Sequence, residues 1–424
     1  MQLQDIAKVL GLQDVEIDSL NLVTDEEGGA KEVEVWLKPL EAKQPCPCCG
    51  SGRTVLNGRD GHRRVRHLKL ALTPCVLIVP RIRLECSACH ATFGHSYAFV
   101  DGKERYTIAA KAHVYEIAVG STVQHSAAVT GIPYSTSERF FKEAALVIAQ
   151  KTEAQAQEQA QKSKKLILGV DDFSIRKGHN YNTGIHDLRG ESLLGIAKGR
   201  TLKALDKYMD KNPKMRSLAP FAVVMDLAQG YQSFAKKYYP DAIRVADRFH
   251  ANHYALEPIN GIRKRISKGL PPQSRKHLKS KSRLLMKRSD NLTDSQRFEV
   301  EALLSYSDDL RAAYRLKEQL ADWYDLSPNY AAAQKAFQSW LEWGMSLNIP
   351  EITHALKTFI NHRELIVNYH RCRFTNAVVE GRNGKIKSLQ RRHYFLRNRT
   401  FYEALCIIEC NRELAHLQFT QMRA

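Results

Sequence analysis

The sequence predicts a multidomain protein of mixed α/β class, with a cysteine-rich module, a helical region and an α/β core that a large all-α insertion interrupts. Three observations predict this organisation. At 424 residues the chain exceeds one ordinary domain. Two Cys-x-x-Cys knuckles lie near its start, and two later apolar runs, typical of core strands, each end in an aspartate.

The composition is that of a globular, strongly basic protein. Lysine and arginine number 64 against 45 acids, a formal net charge of +19, which favours a polyanionic partner and nucleic acid first. No apolar run reaches the roughly 18 residues of a membrane span, and no signal-peptide start is present. We therefore expect a cytoplasmic protein with no membrane partner.

The cysteine-rich module, assigned to residues 1–100, is expected to bind zinc. Cys46 and Cys49 form one knuckle and Cys86 and Cys89 the other, so two tight turns supply four thiolates to a tetrahedral ion. The 36 residues between the knuckles require a hairpin of their own. Two neighbours, Cys48 and His90, are possible substitute ligands, whereas core packing is expected for Cys75, Cys372, Cys406 and Cys410.

Residues 101–162 are expected to form a helix-turn-helix region. Helical patterns over Ser121–Thr130 and from Ser135 flank a tight turn at Gly131, and Ser135 with Glu138 matches a capping box. The second helix would place four side chains in a major groove: Ser135, Thr136, Arg139 and Lys142. A plain helical hairpin fits the same pattern. Residues 151–165, which show little apolar periodicity, are interpreted as a solvated helical extension or linker.

The α/β core is assigned to residues 163–252 and 371–424. Leu166–Val170 ends in Asp171 and Asp172, Phe221–Met225 ends in Asp226, and Ala242–Ala246 precedes Asp247. The strands of two hairpins follow Asp172, over Phe173–Lys177, Tyr181–Leu188 and Ser192–Ala197. Three antiparallel strands, helix, strand, helix and strand is the order of an RNase H-like core, an assignment by analogy.

A helical insertion is assigned to residues 253–370, and one basic run lies in its first part and a second one follows its end. Residues 261–288 contain eleven lysines and arginines and no acid, and Arg382–Arg399 contains seven. Such runs form solvated faces or contact phosphates, and the basic composition favours phosphate. The candidate contacts are Arg263, Lys264, Arg265, Lys385, Lys387, Arg391 and Arg392.

Two strand-end aspartates and a glutamate form a candidate metal site. Asp171, Asp226 and Glu380 would hold two Mg²⁺ or Mn²⁺ ions, which prefer oxygen ligands and support phosphodiester chemistry. Successive strand side chains alternate, so Asp171 and Asp172 are rivals and Asp171 is preferred. The less certain members are Asp247, as an accessory ligand or a partner of Arg248, and His179 and His250, as phosphate-steering or structural histidines.

These residues together resemble the DDE transposases of the ISL3 insertion-sequence family. The resemblance is carried by Gly169–Phe173, Arg176–His179 with Tyr181, Val224–Asp226 with Tyr231, Asp247–His250, and Asn376 with Glu380–Gly381, and it covers essentially the whole chain. It implies that Asp171, Asp226 and Glu380 are the catalytic acids. Asp172 departs from the family, since relatives commonly have glutamate there.

The resemblance also implies partners and a reaction. A bacterial, nucleoid-associated dimer or larger assembly would pair two transposon ends on double-stranded DNA. Activated water would cut the DNA strand, and the freed 3′-hydroxyl would attack target DNA. Two alternatives remain at this stage: a non-catalytic zinc and helix-turn-helix regulator, and a structure-selective nuclease of the same fold.

Overall fold

The computed structural model describes residues 3–176, 180–393 and 398–423. Within it the chain divides into two compact units. Unit 1 contains Met1–Lys151, Arg391–Ile408 and Arg412–Ala424, and unit 2 contains Thr152–Gln390 and Glu409–Asn411. Residues 371–424 are predicted to belong to the α/β core, whereas most residues after Gln390 group with unit 1.

Unit 1 begins with a short helix and a five-stranded sheet. The elements are α1 (Leu3–Val9), β1 (Val15–Thr24), β2 (Ala30–Pro39), β3 (Thr54–Leu70), β4 (Thr73–Cys86) and β5 (Thr92–Gly94). The sheet order is β1-β2-β4-β3, with β5 on β4. Strands β3 and β4 form a long antiparallel hairpin, which confirms that the segment between the two knuckles folds as a hairpin. The inner face of the sheet packs around Val35, Val65 and Leu77.

Helices complete unit 1. They are α2 (Ile108–Gly120), α3 (Val123–Thr130), the first part of α4 (Tyr134–Lys162), most of α17 (Arg399–Cys410), and α18 (Arg412–Arg423). Thr107 and Thr122 cap α2 and α3, each accepting a hydrogen bond from a backbone N–H of the first turn. Helix α3 ends at Gly131, whose φ of 68° is left-handed, and this gives the tight turn that the sequence predicts.

Unit 2 contains a mixed five-stranded sheet. Its strands are β6 (Ile167–Arg176), β7 (Asn180–Asp187), β8 (Ser192–Ala197), β9 (Ala222–Met225) and β10 (Ile243–Ala246). The order is β10-β9-β6-β7-β8: β6, β7 and β8 are antiparallel, while β9 and β10 run parallel to β6. Strands β7 to β10 confirm the predicted segments, whereas the predicted strands Leu166–Val170 and Phe173–Lys177 form the single strand β6 as far as the residues are described. The first acids lie inside β6 rather than at its exit, because pairing with β7 continues to Arg176.

The helices of unit 2 lie between the strands and in the predicted insertion. They are α5 (Leu202–Lys211), α6 (Pro213–Arg216), α7 (Gln229–Tyr238), α8 (Arg248–Ser267), α9 (Pro272–Ser280), α10 (Asp294–Leu304), α11 (Asp308–Leu326), α12 (Tyr330–Ser346), α13 (Pro350–Asn361), α14 (Arg363–Val367), α15 (Tyr369–Cys372) and α16 (Ala377–Arg392). Helix α16 belongs to unit 2 as far as Gln390. Two 3₁₀ turns, Ser282–Met286 and Ser289–Asn291, precede α10. Trp323, Phe337 and Trp340 are buried in this helical core.

The linker interpretation of residues 151–165 is wrong for most of that segment. Helix α4 continues to Lys162, and its later part is packed rather than solvated. Ala156 and Ala160 are fully or almost fully buried, and the side-chain amide of Gln157 donates to the carbonyl of Leu194. The contact face is made of small and amide residues, so it leaves no apolar periodicity to read.

Candidate active site and zinc site

The four predicted thiols meet in unit 1. Cys46 Sγ lies 3.6 Å from Cys89 Sγ, Cys49 Sγ lies 3.6 Å from Cys86 Sγ, and all four sulfurs fall within 4.8 Å of one another. A tetrahedral zinc with bonds of about 2.3 Å requires sulfurs about 3.8 Å apart. Backbone N–H groups of Cys89 and Ala88 lower the pKa of the Cys86 thiol to about 6, whereas hydrogen bonds with the neighbouring thiols raise the pKa of Cys89 to about 12, so the four thiols do not ionise independently. The cluster fits a structural zinc.

The local backbone explains why each knuckle turns so tightly. In the first knuckle the N–H of Gly50 donates to the carbonyl of Cys46, and in the second the N–H of His90 donates to the carbonyl of Cys86. Both Gly50 and His90 have left-handed φ angles, 72° and 57°. His90 is therefore the turn residue of its knuckle. Cys48 and His90 are both exposed and lie outside the four-sulfur cluster.

The capping box predicted for the second helix of the helix-turn-helix region is wrong. Helix α4 begins at Tyr134, and Pro133 accepts its first hydrogen bond from Ser137, so Ser135 already lies inside the helix. Glu138 pairs instead with Lys142, 2.9 Å away.

The candidate DNA contacts on α4 differ in their availability. Ser135 is exposed and Thr136 half-buried. Arg139 lies 3.4 Å from Glu143 and 3.7 Å from Glu104, and its guanidinium covers the Phe140 ring. The arginine is therefore already paired, so groove contact would require it to exchange these partners.

Three aspartates lie in one row across the unit 2 sheet. In the parallel register Val170 is opposite Met225, and Met225 is opposite Ala246. The next residues are Asp171, Asp226 and Asp247. Neighbouring strands are about 4.8 Å apart, so the three acids follow adjacent strand positions at the carboxyl edge.

The first acid is partly enclosed. Asp171 Oδ2 accepts a hydrogen bond of 3.0 Å from Asn383 Nδ2, and burial raises the pKa of Asp171 to about 6. Asp172 is more open, 3.5 Å from the Arg200 guanidinium, and burial also raises its pKa. Asp226 Oδ1 accepts the N–H of Leu227. Negative groups that are costly to ionise in this setting are stabilised when a cation is present.

Asp247 is a buried acid whose carboxylate contacts two other parts of unit 2. It is 1% exposed, with Oδ2 3.2 Å from His250 Nδ1 and Oδ1 accepting the N–H of Asn376 at 2.9 Å. The hydrogen bond that His250 donates to Asp247 raises the pKa of His250 to about 9, so the imidazole is protonated at neutral pH. The predicted partnership of Asp247 with Arg248 is wrong, because Arg248 bonds to Asp325 instead.

The third acid lies on α16, and that helix packs along the same strand. Glu380 is exposed in the first turn, and its N–H donates to the carbonyl of Asn376. Asn383, one turn later, makes the contact with Asp171. Residues three apart are neighbours on a helix face, so Glu380 lies one turn from the residue that contacts the first acid. Another predicted residue, His179, lies outside the described residues.

The donor set at this edge suits a divalent cation. Carboxylate oxygens of the strand acids lie beside two buried amide oxygens, Asn376 Oδ1 and Asn383 Oδ1, that have no hydrogen-bond partner. Hard cations such as Mg²⁺ take oxygen ligands and keep ordered water. In the described part of the chain only the four cysteines gather three or more ligand atoms within 4.8 Å. Asp171, Asp226 and Glu380 are thus more widely spread than ligands of a single ion.

The basic runs divide into paired and exposed side chains. Arg265 bonds to Glu351 at 2.7 Å and to Asp309 at 2.7 Å, and Arg263 is half-buried. Four other candidates are exposed: Lys264, Lys385, Lys387 and Arg391. Arg392 is half-buried and donates to the carbonyl of Gly120. No helix in the described residues is long and apolar enough to cross a membrane.

Comparisons with known proteins agree with this architecture. A family model described as "Transposase" (DDE_Tnp_ISL3) matches residues 168–406, and one described as "zinc-finger of transposase IS204/IS1001/IS1096/IS1165" matches residues 42–89. The matches include both the acidic row and the four cysteines.

Full-length relatives give the same result. The chain is 27% identical over 384 residues to the "Transposase for insertion sequence element IS1001" of Bordetella parapertussis, covering 89% of this chain and 91% of the relative. It is 22% identical over 410 residues to the "Transposase for insertion sequence element IS1557" of Mycobacterium tuberculosis, covering 88% of each.

The two family matches define a class, the transposases of the DDE type. Within that class the chain belongs to the ISL3 family.

Proposed function

We propose that this protein binds the ends of its insertion sequence and catalyses metal-dependent strand cleavage and 3′-hydroxyl strand transfer, with Asp171, Asp226 and Glu380 as the catalytic acids. The unit 2 sheet order supports an RNase H-like core, and α16 brings Glu380 to the sheet after the helical insertion. The active form is a dimer or larger assembly that pairs two ends.

One observation carries this proposal: the contact between Asn383 and Asp171, at 3.0 Å. It joins the helix of the third acid to the strand of the first, although 212 positions separate the two residues in sequence. The strand register, in which Val170 is opposite Met225, independently supports a site that contains both Asp171 and Asp226. A regulator that only bound DNA would gain nothing from bringing these acids together.

The three acids would hold two Mg²⁺ or Mn²⁺ ions. When bound, such ions neutralise phosphate charge and make a water or hydroxyl oxygen a better nucleophile. The residues of the chain provide the setting. Asn383 orients the Asp171 carboxylate, while Asp247 and His250 form an internal ion pair beside it. Burial of Asp171 keeps bulk water from screening its charge.

Recognition of DNA is assigned to unit 1 and to exposed lysines of unit 2. Ser135 and Thr136 lie in the first turn of α4, where helix-turn-helix proteins contact base edges. Lys264, Lys385 and Lys387 are exposed and suited to phosphates, which position DNA without reading its sequence.

The test is an assay of cleavage and joining with labelled end DNA, Mg²⁺ and the full chain. Asp226→Asn and Glu380→Gln should abolish both reactions while leaving end binding intact, because each removes a metal ligand and little volume. Asp206→Asn is the matched control: Asp206 is a surface acid of α5 paired with Lys237, and this variant should remain active.

Two results would overturn the proposal. Retained cleavage in Asp226→Asn would refute the acid assignment. Cleavage without any joined product in the unaltered protein would indicate a nuclease rather than a transposase.

A further inference from the structure

Three amide side chains of the α16 segment connect it to β6 at regular intervals. Asn376 Nδ2 lies 3.5 Å from the carbonyl oxygen of Val170, and Asn383 Nδ2 lies 3.4 Å from that of Asp172. Gln390 Nε2 lies 3.1 Å from the carbonyl oxygen of Ser174. The donors are seven residues apart and the acceptors two residues apart.

Both intervals follow from backbone geometry. Seven residues are nearly two helical turns, so the three amides lie on one face of the segment. Carbonyls of alternate strand residues point to the same edge of the strand. Strand β9 pairs with β6 only as far as Val170, and in the described residues no other strand follows it on that side. The amides of Asn383 and Gln390 therefore occupy an edge that β9 leaves open, and the amide of Asn376 lies where the pairing with β9 ends.

Backbone hydrogen bonds also hold Asn376 in place. The N–H of Asn376 donates to buried Asp247, and its carbonyl accepts the N–H of Glu380. Gly169 leaves the room for its side chain, since a Cβ at Gly169 would lie 2.9 Å from Asn376 Oδ1. The start of the glutamate-bearing helix is thus tied to both β6 and the end of β10.

We propose that Asn376, Asn383 and Gln390 form an amide ladder that sets the register of α16 along β6, and so positions Glu380 relative to Asp171. The three are positioning residues. This inference rests on the proposed function for the roles of the two acids. A shift of α16 by one residue would rotate its face by about 100° and move all three amides off their carbonyls together.

The outermost rung gives the clearest test, because the Gln390 amide bonds to the carbonyl of Ser174, beyond both Asp171 and Asp172 on the strand. Gln390→Met and Asn383→Leu remove the donors at similar volume, and Ser388→Ala, at an exposed position of the same helix, is the control. Three measurements are made on the full chain: amide exchange of residues 377–390 without metal, end-DNA affinity without metal, and the Mg²⁺ dependence of cleavage.

We expect faster exchange along α16 in both ladder variants, unchanged end affinity, and a higher Mg²⁺ requirement. Misplacing a reacting group by about 1 Å costs up to about a hundredfold in rate, so cleavage by Asn383→Leu should fall about ten- to a hundredfold. The cleavage rate of Gln390→Met should fall less, and the cleavage rate of Ser388→Ala should match that of the unaltered protein.

Unchanged exchange in both variants would overturn the ladder, as would faster exchange with unaltered cleavage and Mg²⁺ dependence. The Asp226→Asn protein separates the two proposals. If that variant still cuts DNA, the proposed function fails, whereas the exchange data still report whether the amides hold α16 on β6.

Discussion

Alanine at Gly169 perturbs close packing around the strand that carries Asp171. The new Cβ would lie 2.5 Å from Leu188 Cδ2 and 2.9 Å from Asn376 Oδ1, well inside the usual carbon contact of about 3.5–4.0 Å. Leu188 and Asn376 are both almost fully buried, so neither can rotate into solvent. Overpacking costs about 1–3 kcal/mol, and the stiffer unfolded chain offsets about 0.4–1 kcal/mol of it.

We therefore expect Gly169→Ala to lower the free energy of unfolding of unit 2 by about 1–2 kcal/mol. Amide exchange by mass spectrometry in rising urea measures this for peptides of β6 and α16 separately from unit 1. Gly384→Ala is the control: nothing lies within 4 Å of its added Cβ, and alanine in a helix gains about 0.5–1 kcal/mol over glycine. The packing argument is refuted if Gly169→Ala is as stable as the unaltered chain.

Three further predictions concern zinc, DNA and acid. The purified protein should hold one zinc per chain, and Cys49→Ser should lose it by metal analysis and expose the β3–β4 hairpin to protease, because only three of the four ligands remain. Lys264→Ala should weaken DNA binding and reduce the slope of log K against log salt concentration by about 0.9 for each phosphate that the lysine neutralises. Arg265→Ala should mainly lower thermal stability, since the Arg265 guanidinium is already paired with two acids. Burial lowers the pKa of His67 to about 4, so unfolding takes up a proton below pH 6.5. Hydrogen exchange should therefore show that the free energy of unfolding of unit 1 falls by about 2 kcal/mol from pH 7 to pH 5, and that this fall is missing in His67→Gln. Equal losses in the two proteins would refute this.

Much of the α/β core was predictable because each strand carries its own signal. The apolar runs before Asp171, Asp226 and Asp247 are short and continuous, as buried strands are, and the structure confirms all three. The cysteine knuckles were equally readable, since the chemistry of zinc fixes both residue type and spacing.

The contacts between distant segments were not predictable from local pattern. The sequence indicates that Asp247 is an acid after a strand, but its role depends on Asn376, 129 positions later. The pairing of Arg265 with Glu351 was also not predictable, because the sequence of a basic run is the same whether its charges are paired or free. The late part of α4 was missed for another reason: small residues such as Ala156 bury without an apolar stripe.

The open side of β6 has a consequence for solubility. Beyond Val170 this strand would present bare carbonyl and N–H groups, the template on which another chain adds a strand and begins to aggregate. The side-chain amides of Asn383 and Gln390 satisfy the carbonyls of Asp172 and Ser174 without adding a strand, which disfavours β-augmentation at this edge. Asp171, the first of the proposed catalytic acids, lies on this strand, and the amide contacts protect the backbone carbonyls that follow it.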